Sequence, residues 1–96
     1  MRELSKPILV PLNHPCYAGH FPERSILPGV VLLELVVEQV GRGAPRGIPS
    51  VKFQRSLAPG ETFTLHWRDG GVRVNFRCET GGEPVAEGTI EFGAEA

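Results

Sequence analysis

The chain has 96 residues, of which 41% are hydrophobic and 22% charged, and a formal net charge of −1 from 10 basic and 11 acidic residues. This length predicts one domain over residues 1–96, and this composition is typical of a globular chain rather than a disordered one. The balanced charge excludes the broad basic surface that nucleic-acid binding requires. The two cysteines, Cys16 and Cys78, are too few for a disulfide framework or a four-ligand zinc site. Their number favours two reduced thiols over a single bridge.

The N-terminal residues lack the features of an export signal. Residues 1–7 contain no apolar core and no small-residue cleavage site. The longest apolar run begins at Val30 and stops at Glu34, whereas a membrane span needs about 20 apolar residues. We therefore expect a cytoplasmic protein with no membrane span.

Two irregular features precede the first helical pattern. Residues 8–12 predict a short strand, at the edge of a sheet because Pro11 has no amide hydrogen to donate. Residues 13–29 contain proline and glycine too often for any regular period. A loop of about 17 residues is long for so small a domain, and loops of that length tend to be functional or disordered.

Residues 28–40 predict a helix, because Pro28 suits its first position and Gly41 and Gly43 end it. At about 100° per residue, one face is apolar: it carries Val30, Leu33, Val37 and Val40. The opposite side is apolar as well, with Leu32, Leu35 and Val36. A helix that is apolar nearly all round must be covered on more than one side.

The second half of the chain predicts four strands, over residues 49–57, 62–68, 71–79 and 83–92. Turn sequences rich in glycine separate them, and the alternation of Val72, Val74 and Phe76 with polar residues gives one buried face and one wet face. The predicted fold is α+β, an antiparallel sheet wrapped around one central helix. One sheet cannot cover every face of that helix, so we also expect a dimer.

Two acids on the predicted helix are candidates for chemistry. Glu34 and Glu38 are four residues apart, and apolar residues flank Glu34. Desolvation and a nearby like charge both favour the neutral form of a carboxyl, which can then donate a proton. Alternatively, this face meets solvent and both acids are ordinary surface residues.

The other candidates are weaker when taken singly. His20, in the long loop just before the helix, is a possible base, His14 a less favoured one, and His66 is expected to be a packing or surface residue. The amides at Pro28-Gly29-Val30 can stabilise negative charge, as at any helix start. No phosphate loop or metal-spaced cluster is visible. Four basic residues without an intervening acid form either a patch for an acidic partner or a solvated surface: Arg42, Arg46, Lys52 and Arg55.

Together, the run GHFPERSILPGV at residues 19–30 and the Leu33-Glu34 pair resemble the signature of the β-hydroxyacyl-acyl-carrier-protein dehydratases, which have the hotdog fold. His20 and Glu34 have the family's spacing of fourteen residues. Residues 51–53 and 59–61 also resemble a later strand motif of the family. The resemblance covers about residues 13–66, and it is closest to the short dehydratases of specialised lipid pathways, such as those for aryl polyenes.

The resemblance implies an enzyme without a cofactor or metal that dehydrates a 3-hydroxyacyl thioester to the trans-2-enoyl thioester. His20 would be the base, Glu34 the acid, and the Gly29 amide would polarise the thioester carbonyl. His20 and Glu34 would come from different subunits of a homodimer or of a larger assembly of dimers. The acyl chain would lie in a tunnel along Val30, Leu33 and Val37, and the basic patch would bind the acyl carrier protein.

The sequence departs from the family at three points. Ser25 replaces a proline, Glu38 replaces a glutamine with Gln39 one position later, and the motif begins about 30 residues early, without the preceding helix and strand. Two alternatives stay open: a hotdog acyl-thioesterase, and a non-catalytic subunit that binds acyl carrier protein. The His20 motif argues against the thioesterase, and the presence of both His20 and Glu34 argues against the non-catalytic subunit.

Overall fold

Five strands form one antiparallel sheet, and a single helix packs on one of its faces. The computed structural model describes residues 3–10, 27 and 29–93. In chain order the elements are β1 (Glu3–Leu9), α1 (Gly29–Val40), β2 (Gly47–Phe53), β3 (Thr62–Gly70), β4 (Arg73–Thr80) and β5 (Glu83–Glu91). The strand order is β1-β3-β4-β5-β2, and every pair is antiparallel. The predicted α+β class, with a sheet around one helix, is confirmed.

Helix α1 ends at Val40, where the glycine signal predicts; it begins at Gly29, and the predicted first residue, Pro28, lies outside the described residues. The amide of Gly41 donates to the carbonyl of Val37 at 3.2 Å, and the φ of Gly41 is 75°. A residue in this left-handed region ends a helix, and glycine adopts it without steric cost. The side that faces the sheet buries Val31, Leu32 and Val36.

The core lies between α1 and the sheet. Along β4, Val74, Phe76 and Cys78 are buried on the side of the helix, while the residues between them are exposed on the other side. Among the described residues no polar or charged side chain is buried. Burial raises the pKa of the Cys78 thiol to about 12, so it stays protonated and unreactive. The sheet therefore has one apolar face and one polar face, as the alternation predicts. The prediction is wrong for Val72, which is 44% exposed because it lies in the turn before β4 and not in the strand.

The boundaries of β1 and β2 differ most from the prediction, and those of the other three strands differ by one or two residues. Strand β1 is an edge strand, as predicted, but it covers Glu3–Leu9 instead of residues 8–12, because its pairing with β3 extends from Glu3, opposite Arg68, to Leu9, opposite Thr62. Residues 11–12 lie outside the described part. Strand β2 ends at Phe53 because the next two amides, of residues 54 and 55, both donate to the carbonyl of Val85, which turns the chain out of register.

Strand β2 is the other edge of the sheet, and a glycine lets it approach β5 closely. A Cβ atom on Gly88 would meet the carbonyl oxygen of Ser50 and would lie 2.9 Å from the Cα of Val51. Both neighbours are backbone atoms, which cannot rotate away. The β2–β5 pairing therefore depends on the absence of a side chain at position 88.

We expect Gly88→Ala to lower the free energy of unfolding by about 1–3 kcal/mol, the usual cost of overpacking. The control is Gly47→Ala in β2, where nothing lies within 4 Å of the added Cβ. That variant should gain about 0.5 kcal/mol from the reduced flexibility of the unfolded chain. Urea denaturation of both variants measures the difference. Equal midpoints would contradict the close approach of the two strands.

Candidate functional site

The side of α1 turned away from the sheet borders an apolar groove of about 550 Å³. Val30, Leu33 and Val37, the predicted tunnel residues, all line it. Val30 is 64% exposed, which is unusual for a valine on a helix of this composition. The remaining lining residues are Glu34, Glu38, Gly41, Gly43, Ala44, Pro45 and Ile48. The helix thus has a second apolar face that the sheet does not cover.

Both helix acids border this groove and both are exposed in the single subunit. The desolvation expected for Glu34 is therefore absent within one chain. An exposed carboxyl beside apolar side chains becomes desolvated only when a second surface covers the groove. The chemistry predicted for Glu34 thus requires a covering partner, a bound substrate, or both.

At the start of α1 a second cavity, of about 490 Å³, lies between the helix and the end of β2. Gly29 and Leu32 line it from the helix, and Phe53 and Arg55 from β2 and the segment after it. The Phe53 ring lies directly on Gly29, since a Cβ atom there would be 2.8 Å from the ring's Cζ. The first amides of a helix have no partner within the helix. At this end of the helix, the absence of a side chain at Gly29 leaves room for the Phe53 ring.

The predicted base lies outside the described residues. His20 and His14 both fall within residues 11–26, and Pro28 is not described either. His66 is half-buried on the polar face of β3, where its Nε2 lies 2.8 Å from Oε1 of Glu79. Glu79 faces it from β4. His66 is therefore a structural contact of the sheet surface, away from the groove.

The four basic residues divide into two groups. Arg42 has a side chain only 16% exposed: its Nη1 donates to Oδ1 of Asp69 at 3.2 Å and to the carbonyl of Gly71. Its guanidinium also lies 5.0 Å from the centroid of the Phe92 ring. Arg42 therefore joins the end of the helix to the β3–β4 turn and is not part of a free basic surface.

Arg55 also has acidic neighbours, Glu61 at 3.3 Å and Glu83 at 3.9 Å. Arg46 and Lys52 are exposed, and neither forms an ion pair within residues 3–10, 27 and 29–93. The predicted patch of four residues is thus reduced to two with unengaged charges.

The motif at residues 59–61 has a structural role: its hydrogen bonds hold a turn together. Glu61 accepts a hydrogen bond from the amide of Ala58 at 2.8 Å and a second from Arg55. The Ala58 hydrogen bond, with help from Arg55, lowers the pKa of Glu61 against the opposing effect of desolvation. The amide of Gly60 and the carbonyl of Glu61 both bond to Val10. This turn therefore anchors the end of β1.

The described part of the chain has neither a metal-binding cluster nor a membrane-spanning helix. In residues 3–10, 27 and 29–93 no three His, Cys, Asp or Glu side chains lie together as a metal ion would require. No helix in that part is long and apolar enough to cross a membrane.

One helix of 12 residues on one face of a five-stranded antiparallel sheet, with its outer side apolar and open, is the arrangement of the hotdog class. Residues 2–89 match the family model of the ApeI-like proteins, described as ApeI dehydratase. The chain belongs to this dehydratase family. The predicted family, the fold and the dehydratase class of enzyme, a lyase that removes water, are confirmed.

Individual relatives agree with this family. The chain is 38% identical to a protein from Thermomicrobium roseum named 3-hydroxyacyl-[acyl-carrier-protein] dehydratase FabZ, over 86% of this chain and 67% of that protein. A solved structure, the dehydratase heterocomplex ApeI:P from Xenorhabdus doucetiae, matches with a TM-score of 0.76 and 26% identity, over 93% of this chain and 85% of that one. The fluoroacetyl-CoA-specific thioesterase FlK, at 16% identity and a TM-score of 0.66, shares the fold alone. The match spans 94% of this chain and 82% of the FlK chain.

Sequence reasoning missed two parts of the site. Nothing in the local pattern indicated that the Phe53 ring lies on Gly29, although the Lys52-Phe53 pair was part of the resemblance. The segment of residues 41–45 was interpreted only as a helix stop, yet it forms one end of the groove. Its two glycines and the lack of charge at residues 43–45 were the available signal.

Proposed function

We propose that this protein converts a 3-hydroxyacyl thioester, carried on an acyl carrier protein, to the trans-2-enoyl thioester and water. The observation that carries the proposal is the position of Glu34 on the border of an apolar groove, in a chain of the dehydratase family. Relatives at 30–38% identity are named for this reaction. An apolar groove suits an acyl chain, and a carboxyl beside it suits an acid that acts on a hydroxyl.

The reaction needs one base and one acid. His20 would remove the proton from Cα, while an amide of the helix start at Gly29 stabilises the negative charge that develops on the thioester oxygen. As the Cα–Cβ double bond forms, the Cβ–O bond breaks and Glu34 donates its proton to the departing hydroxyl, which leaves as water. Transfer of the proton from His20 to solvent, and protonation of Glu34, restore the starting state.

Two subunits would be needed to close the site. Strand β2 is an edge strand with Val51 36% and Phe53 50% exposed, and the nearby helix face exposes Val30. An unpaired strand edge and contiguous apolar side chains together favour association with another copy. Such a copy would desolvate Glu34 and supply His20 from its own loop. The proposed active unit is therefore a homodimer.

The carrier protein would approach the start of the helix, where the thioester carbonyl would bind. Arg55 lines the cavity beside Gly29, whereas Lys52 lies with Asn75 and Glu87 on the polar face of the sheet. Arg46 lies six residues before Lys52, which corresponds to about 20 Å along a strand. Of the two cations of the predicted patch that have no ion pair among the described residues, Lys52 is the nearer to this entrance along the chain.

The central experiment is mass spectrometry of a 3-hydroxyacyl-carrier protein incubated with the enzyme. We expect loss of one water with the thioester intact, and a fall of about 10²–10⁴-fold in this rate for both His20→Ala and Glu34→Gln. The matched controls are His14→Ala and Glu38→Gln, which should change the rate less than tenfold. Release of the acyl group as free acid would indicate a thioesterase instead, and a Glu34→Gln variant with a tenth of the wild-type rate would exclude Glu34 as the acid.

The shared site can be tested by mixing inactive subunits. A purified heterodimer of His20→Ala and Glu34→Gln chains contains one site with both residues intact if each site draws on both subunits. We expect the heterodimer to regain activity that neither parent homodimer has. An inactive heterodimer of verified composition would show that each subunit uses its own pair.

The approach of the carrier can be tested by charge reversal. Lys52→Glu should weaken binding of the acyl carrier protein several-fold, with a larger effect at low salt, because it replaces an attractive charge at the entrance by a repulsive one. Arg46→Glu is the control with the same change of charge at the distant end of β2, and should have little effect. Equal losses for both variants, measured by titration calorimetry, would contradict an entrance at Lys52.

A further inference from the structure

We infer that the segment of residues 41–45, together with Ile48, is a fixed wall that limits the length of the acyl chain. This inference rests on the proposed function and adds to it the residues that determine chain-length specificity. The groove extends along α1 from Val30 to Val37 and then meets this segment, which contributes Gly41, Gly43, Ala44 and Pro45 to its lining. We call residues 41–45 and Ile48 the end wall.

The end wall suits an alkyl tail. Apart from the two helix acids, every residue that lines the groove has a side chain that is apolar or absent. Beyond Glu38 the lining carries no hydrogen-bonding side chain. A tail with polar groups at this depth would leave those groups unsatisfied, which is costly. The far end of the groove therefore selects saturated or unsaturated hydrocarbon.

The end wall is also held in place at three points. The amide of Gly41 is bonded to Val37, and the amide of Arg46, which follows the wall, donates to the carbonyl of Glu91 at 2.7 Å. Between them, Arg42 bonds to Asp69 and packs its guanidinium over Phe92. The glycines at 41 and 43 have φ values of 75° and 78°, a conformation that other residues rarely adopt. A wall anchored in this way cannot move aside easily for a longer tail.

The helix supplies a length scale. From Glu34 to Gly41 the chain advances seven residues, or about 10 Å at 1.5 Å per residue. An extended chain advances about 1.2 Å per bond, as three backbone bonds span about 3.5 Å in an extended residue. The space beyond the reacting carbons thus accommodates about eight further carbons. We expect acyl chains of up to about 10–12 carbons to react well and longer ones to react poorly.

The test is the rate of dehydration, as kcat/KM, for 3-hydroxyacyl-carrier proteins with chains of 4 to about 16 carbons. Ala44→Leu adds bulk to an exposed wall residue without touching the core. It should lower the rate for 10-carbon chains by at least about tenfold relative to 4-carbon chains, since one methylene in an apolar pocket already changes discrimination by that amount. The control is Ser5→Leu, which adds bulk to an exposed residue of β1 outside the groove and should leave the length profile unchanged.

Two further variants should move the limit in the opposite direction. Ile48→Ala deepens the groove, and Arg42→Ala releases the wall from the β3–β4 turn, so both should increase the ratio of long-chain to short-chain rates. A purely structural role of Arg42 would lower all rates together and leave this ratio unchanged. If Ala44→Leu and Ile48→Ala both keep the wild-type length profile while short chains are still dehydrated, the end wall is excluded. If no chain length is dehydrated, the proposed function fails instead.

Discussion

A single sheet covers only one side of a helix whose two sides are both apolar, and the properties of this protein depend on that mismatch. Val31, Leu32 and Val36 fill the interface with the sheet, whereas Val30 remains in contact with solvent on the opposite side. Apolar surface of this kind is stabilised when it is removed from water. In the proposed dimer, the uncovered side would supply both the driving force for association and the lining of the acyl groove, which Glu34 borders.

The placement of Glu34 illustrates why such a site would be built at a contact between chains. A carboxyl buried inside a chain of this size would impose its desolvation cost during folding of each subunit. A carboxyl on an uncovered face folds in contact with water and is desolvated only upon assembly or substrate binding. The monomer can then have a core without buried polar side chains in its described part, as observed. In the proposed dimer, folding and the desolvation of this acid would be separate steps.

Local patterns predicted the parts of the structure that depend on neighbours in sequence. Gly41 ends the helix, and the alternation around Val74 and Phe76 orients β4 correctly, because both depend only on backbone preference and on the period of a strand. Strand β1 was placed too far along the chain, since its polar first residues are held by pairing with β3, which sequence periodicity does not reveal.

In the site, too, the features that depend on sequence neighbours were predictable and those that depend on long-range contacts were not. Helical periodicity placed Val30, Leu33 and Val37 on one face, and the motif added Glu34, so the helical side of the groove was predictable. The bond from Arg42 to Asp69 joins residues 27 positions apart, and only the folded chain brings them together. The four basic residues are close in sequence and were therefore predicted to form one patch. In the structure, however, Arg42 and Arg55 form ion pairs with acidic residues of the same chain.

The two edges of the sheet differ in a way that bears on how far assembly can proceed. Both edges expose apolar side chains, Val51 and Phe53 on β2 and Leu4 and Leu9 on β1. Only β1, however, also carries an exposed lysine next to a proline within the strand, Lys6 and Pro7. Proline has no amide hydrogen for an incoming strand, and a lysine must lose its hydration to be covered. Copies joined through β2 would then present only β1 edges to the outside. Growth would stop at a closed pair, and the enzyme would be protected from polymerising into filaments.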